Sequence, residues 1–309
     1  MKIFFNEDHI INNTFCSEQI LLIPFLPSNF IRTNINFDDV TDYQSDMSLL
    51  IRRSNLDECD VILYPNKFDN TKYINQYIAM AREYNKPLLF FYNDDNDKPS
   101  VDIGVEYILY RTSVNKSTQK NNERVMPAWS KDFKKYNINI TTRKKSKTPV
   151  IGFCGALTHK IRTNIINTLN IKSNNYKTNF LIRNQFWGGS PDNISLRKEF
   201  IKNTIDSDFI ICARGAGNFS YRLYETLSSG RIPIFIDSDS VIPFEEKINF
   251  KDYFPIIKEN DIGNIAKIIL NFWDRIRDYS DLQLNLRELY ENYFSPIGFV
   301  KQLNNEYNS

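Results

Sequence analysis

The stretch that most limits how this chain can fold is residues 207–250, SDFIICARGAGNFSYRLYETLSSGRIPIFIDSDSVIPFEEKINF. Residues 209–213 are continuously apolar, which predicts a buried strand. Residues 214–219 carry glycines and predict a loop, Ser220 opens a short helix, and Gly230 stops it. A second apolar run at 232–236 predicts the next strand. Strand, helix and strand in this order belong in a parallel sheet covered by helices. The stretch also carries candidate chemistry. Gly215 and Gly217 are expected to let the backbone bend sharply and approach a ligand closely. Ser220 is placed to cap the helix, whose free N–H groups then form an anion site. Arg222 and Glu225 are three apart, so a helix puts them on one face. Arg214 and Arg222 beside such a turn suit phosphates, and Glu225 suits hydroxyl groups.

The remaining sequence repeats the alternation. In residues 1–140, strands are expected at 2–5, 61–64, 88–92 and 107–110. A helix is expected at 71–84, where Ile74, Tyr77, Ile78, Ala81 and Tyr84 keep helical spacing and Asn85-Lys86-Pro87 ends it. Residues 131–148 turn polar and basic before Pro149, which reads as a solvated linker and a domain boundary. Beyond it, strands are expected at 150–154, 179–182 and 254–257, and helices at 159–169, 196–204 and 262–276, with an amphipathic tail at 282–293. The expected division is an N-terminal domain at 1–142, a second domain at 149–276 and a closing tail at 277–309.

Composition excludes several classes. The chain of 309 residues, 41% hydrophobic and 25% charged, is that of a soluble globular protein. A net charge of +2 leaves no nucleic-acid footprint. The N-terminus turns polar within a few residues and no apolar run reaches spanning length, so no signal peptide and no membrane segment are expected. A cytoplasmic location is the simplest expectation. Cys16, Cys59, Cys154 and Cys212 are scattered, and Cys154 and Cys212 fall in predicted strands, where buried reduced thiols are expected. With His9 and His159 the only histidines, a zinc site is not expected.

The order Arg214-Gly215-x-Gly217-x-x-Ser220-x-Arg222-Leu223-x-Glu225-x-Leu227-x-x-Gly230-x-Ile232-Pro233, then Asp237 and Pro243-Phe244, resembles the C-terminal half of exostosin-family glycosyltransferases. Where that family usually has Pro before the first Arg and Ala-Leu after the Glu, this chain has Ala213 and Thr226-Leu227. Its frequent Cys-Ile-Pro is Arg231-Ile232-Pro233 here. The resemblance implies a GT-B architecture: two α/β, Rossmann-like domains facing across a cleft, the second binding a nucleotide sugar, with a C-terminal helix crossing back to the first. It also implies an inverting transfer, from a UDP-sugar in the main reading, to a glycan or polysaccharide hydroxyl. In this layout the phosphates meet Arg222 and Arg214, and the ribose meets Glu225.

Ligands of open α/β sheets bind beyond the carboxyl ends of the strands. Gly155 follows the strand at 150–154, and the resemblance implies that Arg162, one helical turn on, holds the donor diphosphate; a solvated helix arginine is the alternative. His159 and Lys160 read as surface residues, and Trp187 as either a base-pocket wall or loop packing. An inverting transfer needs a general base, expected from the first domain. Asp94 and Asp95, after the strand at 88–92, are the candidates, because adjacent carboxylates raise one another's pKa; an exposed turn is the alternative. Asp8 and His9, with Glu7 beside them, are the reserve, and Arg111 is a candidate contact for an acidic acceptor. Asp95 and Asp97 fit a D-x-D metal spacing, but positive charge and N–H donors suffice for a departing diphosphate, so no metal is expected. Retaining relatives of similar shape carry two glutamates eight apart; Glu225 has Gly217 and Pro233 at those offsets. The competing readings are a fucosyltransferase-like enzyme using a GDP-sugar and a non-catalytic nucleotide- or sugar-binding subunit.

Overall fold

The computed structural model describes residues 1–11, 20–26, 41–69, 71–98, 100, 102–130, 132–136, 141–184 and 193–307. Cys16 and Trp187 lie outside them. The chain forms two compact units, the first from residues 1–131, 241–243 and 291–309, the second from 132–240 and 244–290.

The first unit is built on a parallel six-stranded sheet in the order β2-β1-β3-β4-β5-β6, with β1 Lys2–Phe4, β2 Arg52–Arg53, β3 Val61–Lys67, β4 Leu88–Tyr92, β5 Tyr107–Arg111 and β6 Glu123–Val125. Every residue of β4 is buried, as a central parallel strand with both faces covered requires. Helix α1 is Thr41–Leu50 and helix α2 is Ile74–Tyr84. Tyr77 of α2 meets Tyr64 edge-on at 5.1 Å, and Phe90 meets Tyr107 at 5.7 Å, in an aromatic-rich core. α2 ends on Asn85 in the left-handed conformation.

The second unit has a parallel five-stranded sheet in the order β11-β10-β9-β7-β8, with β7 Val150–Ala156, β8 Lys177–Arg183, β9 Phe209–Cys212, β10 Ile232–Asp237 and β11 Ile256–Lys258. Its helices are α3 Lys160–Leu169, α4 Ile194–Ile205, α5 Tyr221–Ser228, α6 Ile265–Arg275 and α7 Tyr279–Leu289. Phe209 packs against Phe272 and Trp273 of α6. Gly230, with φ of +64°, takes the left-handed position that ends α5, and a Cβ there would fall 2.7 Å from the carbonyl oxygen of Gln283. A π-helical turn, Tyr290–Phe294, follows α7 and leads to α8, Pro296–Tyr307, which packs against α1 in the first unit.

The basic run ahead of Pro149 is exposed at 141–147 except for the half-buried Arg143, as a solvated segment should be, yet it is tied down at two points. Arg143 donates from its backbone N–H to Gln283 Oε1 and from Nε to the buried Asp208, and Lys145 Nζ donates to the Ile276 carbonyl. Asp208 also accepts from the Tyr279 hydroxyl and the Val150 N–H, so one buried carboxylate ties this segment to the start of β7 and to α7. The tail expected as one helix is two, parted by the π turn. Among the described residues, no helix is long and apolar enough to cross a membrane.

Candidate functional site

In the second unit the expected residues gather where β7 and β9 end. Arg162, in the first turn of α3, is only 6% exposed. Its Nη1 donates to the Ala156 carbonyl at 3.0 Å and to Thr158 Oγ1 at 3.1 Å, and its Nη2 donates to the Ala213 carbonyl at 3.1 Å. It therefore laces the loop after β7 to the loop after β9. Gly215 makes room for it: a Cβ there would sit 3.3 Å from Nη2. Burial and the charge of Arg222 push the Arg162 guanidinium down to about 9, which leaves it a cation at neutral pH.

Arg222 projects from α5 onto the end of β7. Nε and Nη2 donate to the Cys154 carbonyl at 3.2 and 3.0 Å, and the guanidinium lies 4.5 Å from the Phe153 ring centre. Gly155, with φ of +149°, is the residue it crosses. Among the described residues, neither Arg162 nor Arg222 forms an ion pair. A cation as buried as Arg162 is costly to hold without an acid, and Arg222 beside it is half-buried. Arg214 Nη2 donates to the Ala216 carbonyl at 2.9 Å, closing its loop on itself.

Ser220 is the N-cap of α5, as expected, but its hydroxyl makes no capping bond. The oxygen is buried and has no hydrogen-bond partner among the described residues. His159, read as a surface residue, is half-buried and is the N-cap of α3, its Nδ1 accepting from the Ile161 N–H at 3.2 Å. Burial, then the neighbouring Arg214, lowers its pKa. The backbone bends at 216–218, and neither Gly215 nor Gly217 needs a positive φ to allow it, whereas Gly155 and Gly230 have one.

Glu225 does not pair with Arg222. Its carboxylate is 2% exposed, and Oε1 accepts from Arg197 Nη1 of α4 at 2.6 Å. Arg197 also lies over the Phe133 and Phe200 rings. Nothing in the spacing announced Arg197, which is 28 residues away on another helix.

In the first unit, Asp94 and Asp95 follow β4 on a loop held by Arg111, the last residue of β5, and by the two residues after it. Arg111 donates to the carbonyls of Asn96 and Lys98, Thr112 Oγ1 to Asn93 Oδ1 and the Asp94 carbonyl, and Ser113 Oγ to the Asp95 carbonyl. Arg111 is 2% exposed and paired at 2.7 Å with Glu123, itself 1% exposed. It braces the loop and is not available to an acidic acceptor. Lys67 Nζ donates to Asp94 Oδ2 at 2.8 Å. Burial pushes the Asp94 carboxyl up, but the Lys67 and Asn96 hydrogen bonds and the charges of Lys67 and Arg111 together outweigh it, so its pKa is lowered. The mutual raising expected from adjacent carboxylates is thus not what Asp94 shows. Asp95 is exposed. Glu7 pairs with Arg53, and His9 stacks on Tyr73 at 4.1 Å, its buried Nδ1 without a partner among the described residues. Among the described residues, no three His, Cys, Asp or Glu side chains are grouped to hold a metal ion.

Comparison with known proteins agrees with the motif. Residues 88–272 match the model of the Exostosin GT47 domain. A probable glycosyltransferase of Arabidopsis thaliana is 31% identical over 97 residues, 29% of this chain and 19% of that protein. The Exostosin-1 homolog of Caenorhabditis elegans is 28% identical over 104 residues, 34% of this chain and 27% of that one. The matched segments thus span about a fifth to a quarter of those relatives. The solved structure of Anabaena Alr3699/HepE in complex with UDP and glucose is similar at a TM-score of 0.44 and 9% identity, covering 100% of this chain and 99% of that one. Since the domain match takes in more than half of its residues, this chain belongs to the exostosin GT47 family.

Proposed function

We propose that this protein is an inverting glycosyltransferase that moves a sugar from a UDP-sugar to a glycan hydroxyl without a metal ion. The observation that carries the reading is Arg162, buried and without an acid, at a corner that also holds Arg222 and the unpartnered Ser220 hydroxyl. This corner lies at the carboxyl ends of β7 and β9 and at the N-terminus of α5, where an anion is best received. The relative from Arabidopsis thaliana bears the name of a glycosyltransferase, which supports the same class.

In this reading the donor diphosphate takes hydrogen bonds from Arg162, Arg222 and Ser220. Only Oε1 of Glu225 is engaged by Arg197; Oε2 has no partner among the described residues and is the acceptor for a ribose hydroxyl. The acceptor hydroxyl loses its proton to Asp94 or Asp95 and attacks the anomeric carbon from the face opposite the diphosphate. The carbon–oxygen bond to phosphate breaks, and the departing charge is met by the guanidinium groups and helix N–H donors. The Lys67 contact keeps Asp94 ionised and makes it a weaker base than an ordinary carboxylate.

A thermal-shift panel of UDP, GDP and their sugars tests the donor assignment. Stabilisation by UDP and UDP-sugars is expected. Stabilisation by GDP alone would favour a fucosyltransferase-like enzyme, and no shift with any nucleotide would contradict the nucleotide-sugar reading.

A further inference from the structure

Asn218 sits in the loop between β9 and α5 and is 1% exposed. β9 and β10 run parallel with Cys212 opposite Phe235, so the loops beyond their carboxyl ends leave the sheet side by side. The Asn218 side chain joins them reciprocally. Its Nδ2 donates to the Ser238 carbonyl at 3.2 Å, and Ser238 Oγ donates to Asn218 Oδ1 at 2.8 Å. The receiving loop has a set shape of its own: Asp239 is left-handed, with φ of +66°, and its N–H donates to Asp237 Oδ1 at 3.1 Å. On the other side of the β9 loop, Arg162 holds the Ala213 carbonyl and Arg214 holds the Ala216 carbonyl. The segment from 213 to 218, which leads straight into Ser220 and Arg222, is therefore pinned at both ends.

We propose that Asn218 is a positioning residue of the diphosphate site. Its clasp on Ser238 holds the Ser220 hydroxyl and the first turn of α5 in their receiving geometry before a ligand arrives. This rests on the nucleotide-sugar reading above. A loop already ordered in the free protein need not be ordered at the moment of binding, so the clasp acts on affinity. Asn218 does not touch the diphosphate; it acts through the loop.

The test is calorimetric titration of UDP into the full chain and three variants, with the melting temperature of each unliganded protein measured alongside. Asn218→Ala removes both clasp bonds and is expected to raise the UDP Kd about tenfold. Ser238→Ala removes only the hydroxyl donor, leaves the bond to the backbone carbonyl, and is expected to raise it about threefold. The double variant should bind no more weakly than Asn218→Ala alone, because the two side chains act as one unit. If Asn218→Ala fails to fold, Ser238→Ala decides. A folded variant of either residue that binds UDP like the unaltered protein, or two effects that simply add, overturns the clasp. An unaltered chain that binds no UDP overturns the UDP-sugar assignment on which the clasp rests, so the two failures are distinguishable.

Discussion

Arg222 lies across the backbone of Gly155 so closely that a Cβ on that glycine would fall 2.1 Å from Nη2. A side chain at 155 and the guanidinium of Arg222 cannot both keep their places. The atom in the way is the far end of a flexible chain, so Arg222 would swing off the Cys154 carbonyl. Gly155→Ala should therefore weaken UDP binding at least tenfold, measured by calorimetry, and cost about 1–3 kcal/mol of stability from the positive φ alone.

The Arg111–Glu123 pair supports the first unit in a different way. Both groups are almost wholly buried, and Glu123 also accepts from the N–H groups of Ser100 and Lys120. Removing the acid strands a buried guanidinium. Glu123→Ala is expected to lower unfolding free energy by about 3–5 kcal/mol in urea denaturation, far more than an exposed pair would.

The Lys67–Asp94 pair predicts a pH dependence whose sign follows from the lowered Asp94 pKa. The unfolded chain binds that proton more readily than the folded one, so the contribution is present above the ordinary carboxylate value of 3.8 and fades as pH falls through the lower folded value. Asp94→Asn should lack that component. Denaturant midpoints between pH 6 and about pH 2 should fall less steeply for the variant than for the unaltered protein.

Much of this was readable from residues alone, for definite reasons. Runs such as 88–92 and 209–212 are apolar throughout because parallel strands are covered on both faces, and the helices between them keep their spacing. β2 was not readable: it is two exposed arginines, a strand only because it pairs with β1. α1, reading TDYQSDMSLL, has no clear apolar face to find. At the site, Arg162, Arg222 and Ser220 could be named from the motif. The pairings around the site residues could not, because Glu225 with Arg197, Asn218 with Ser238, and Asp94 with Lys67 meet through folding across 20 to 28 residues of chain. The need for glycine at 155 was visible as a turn, but its cause, a guanidinium packed on the backbone, was not.

Arg162 makes three hydrogen bonds yet has no acid beside it among the described residues, a combination that serves a ligand better than it serves the fold. Arg162→Met should change unliganded stability by no more than about 2 kcal/mol, since lost hydrogen bonds are offset by relief of a buried charge. The same variant should lose UDP affinity by about thirtyfold or more. Parallel melting and titration would separate the two effects.

The most direct test is a crystal structure of the protein soaked with UDP. Phosphate oxygens are expected within hydrogen-bonding distance, about 3 Å, of the Arg162 and Arg222 guanidinium groups and of Ser220 Oγ. Density for the diphosphate anywhere else would contradict the account.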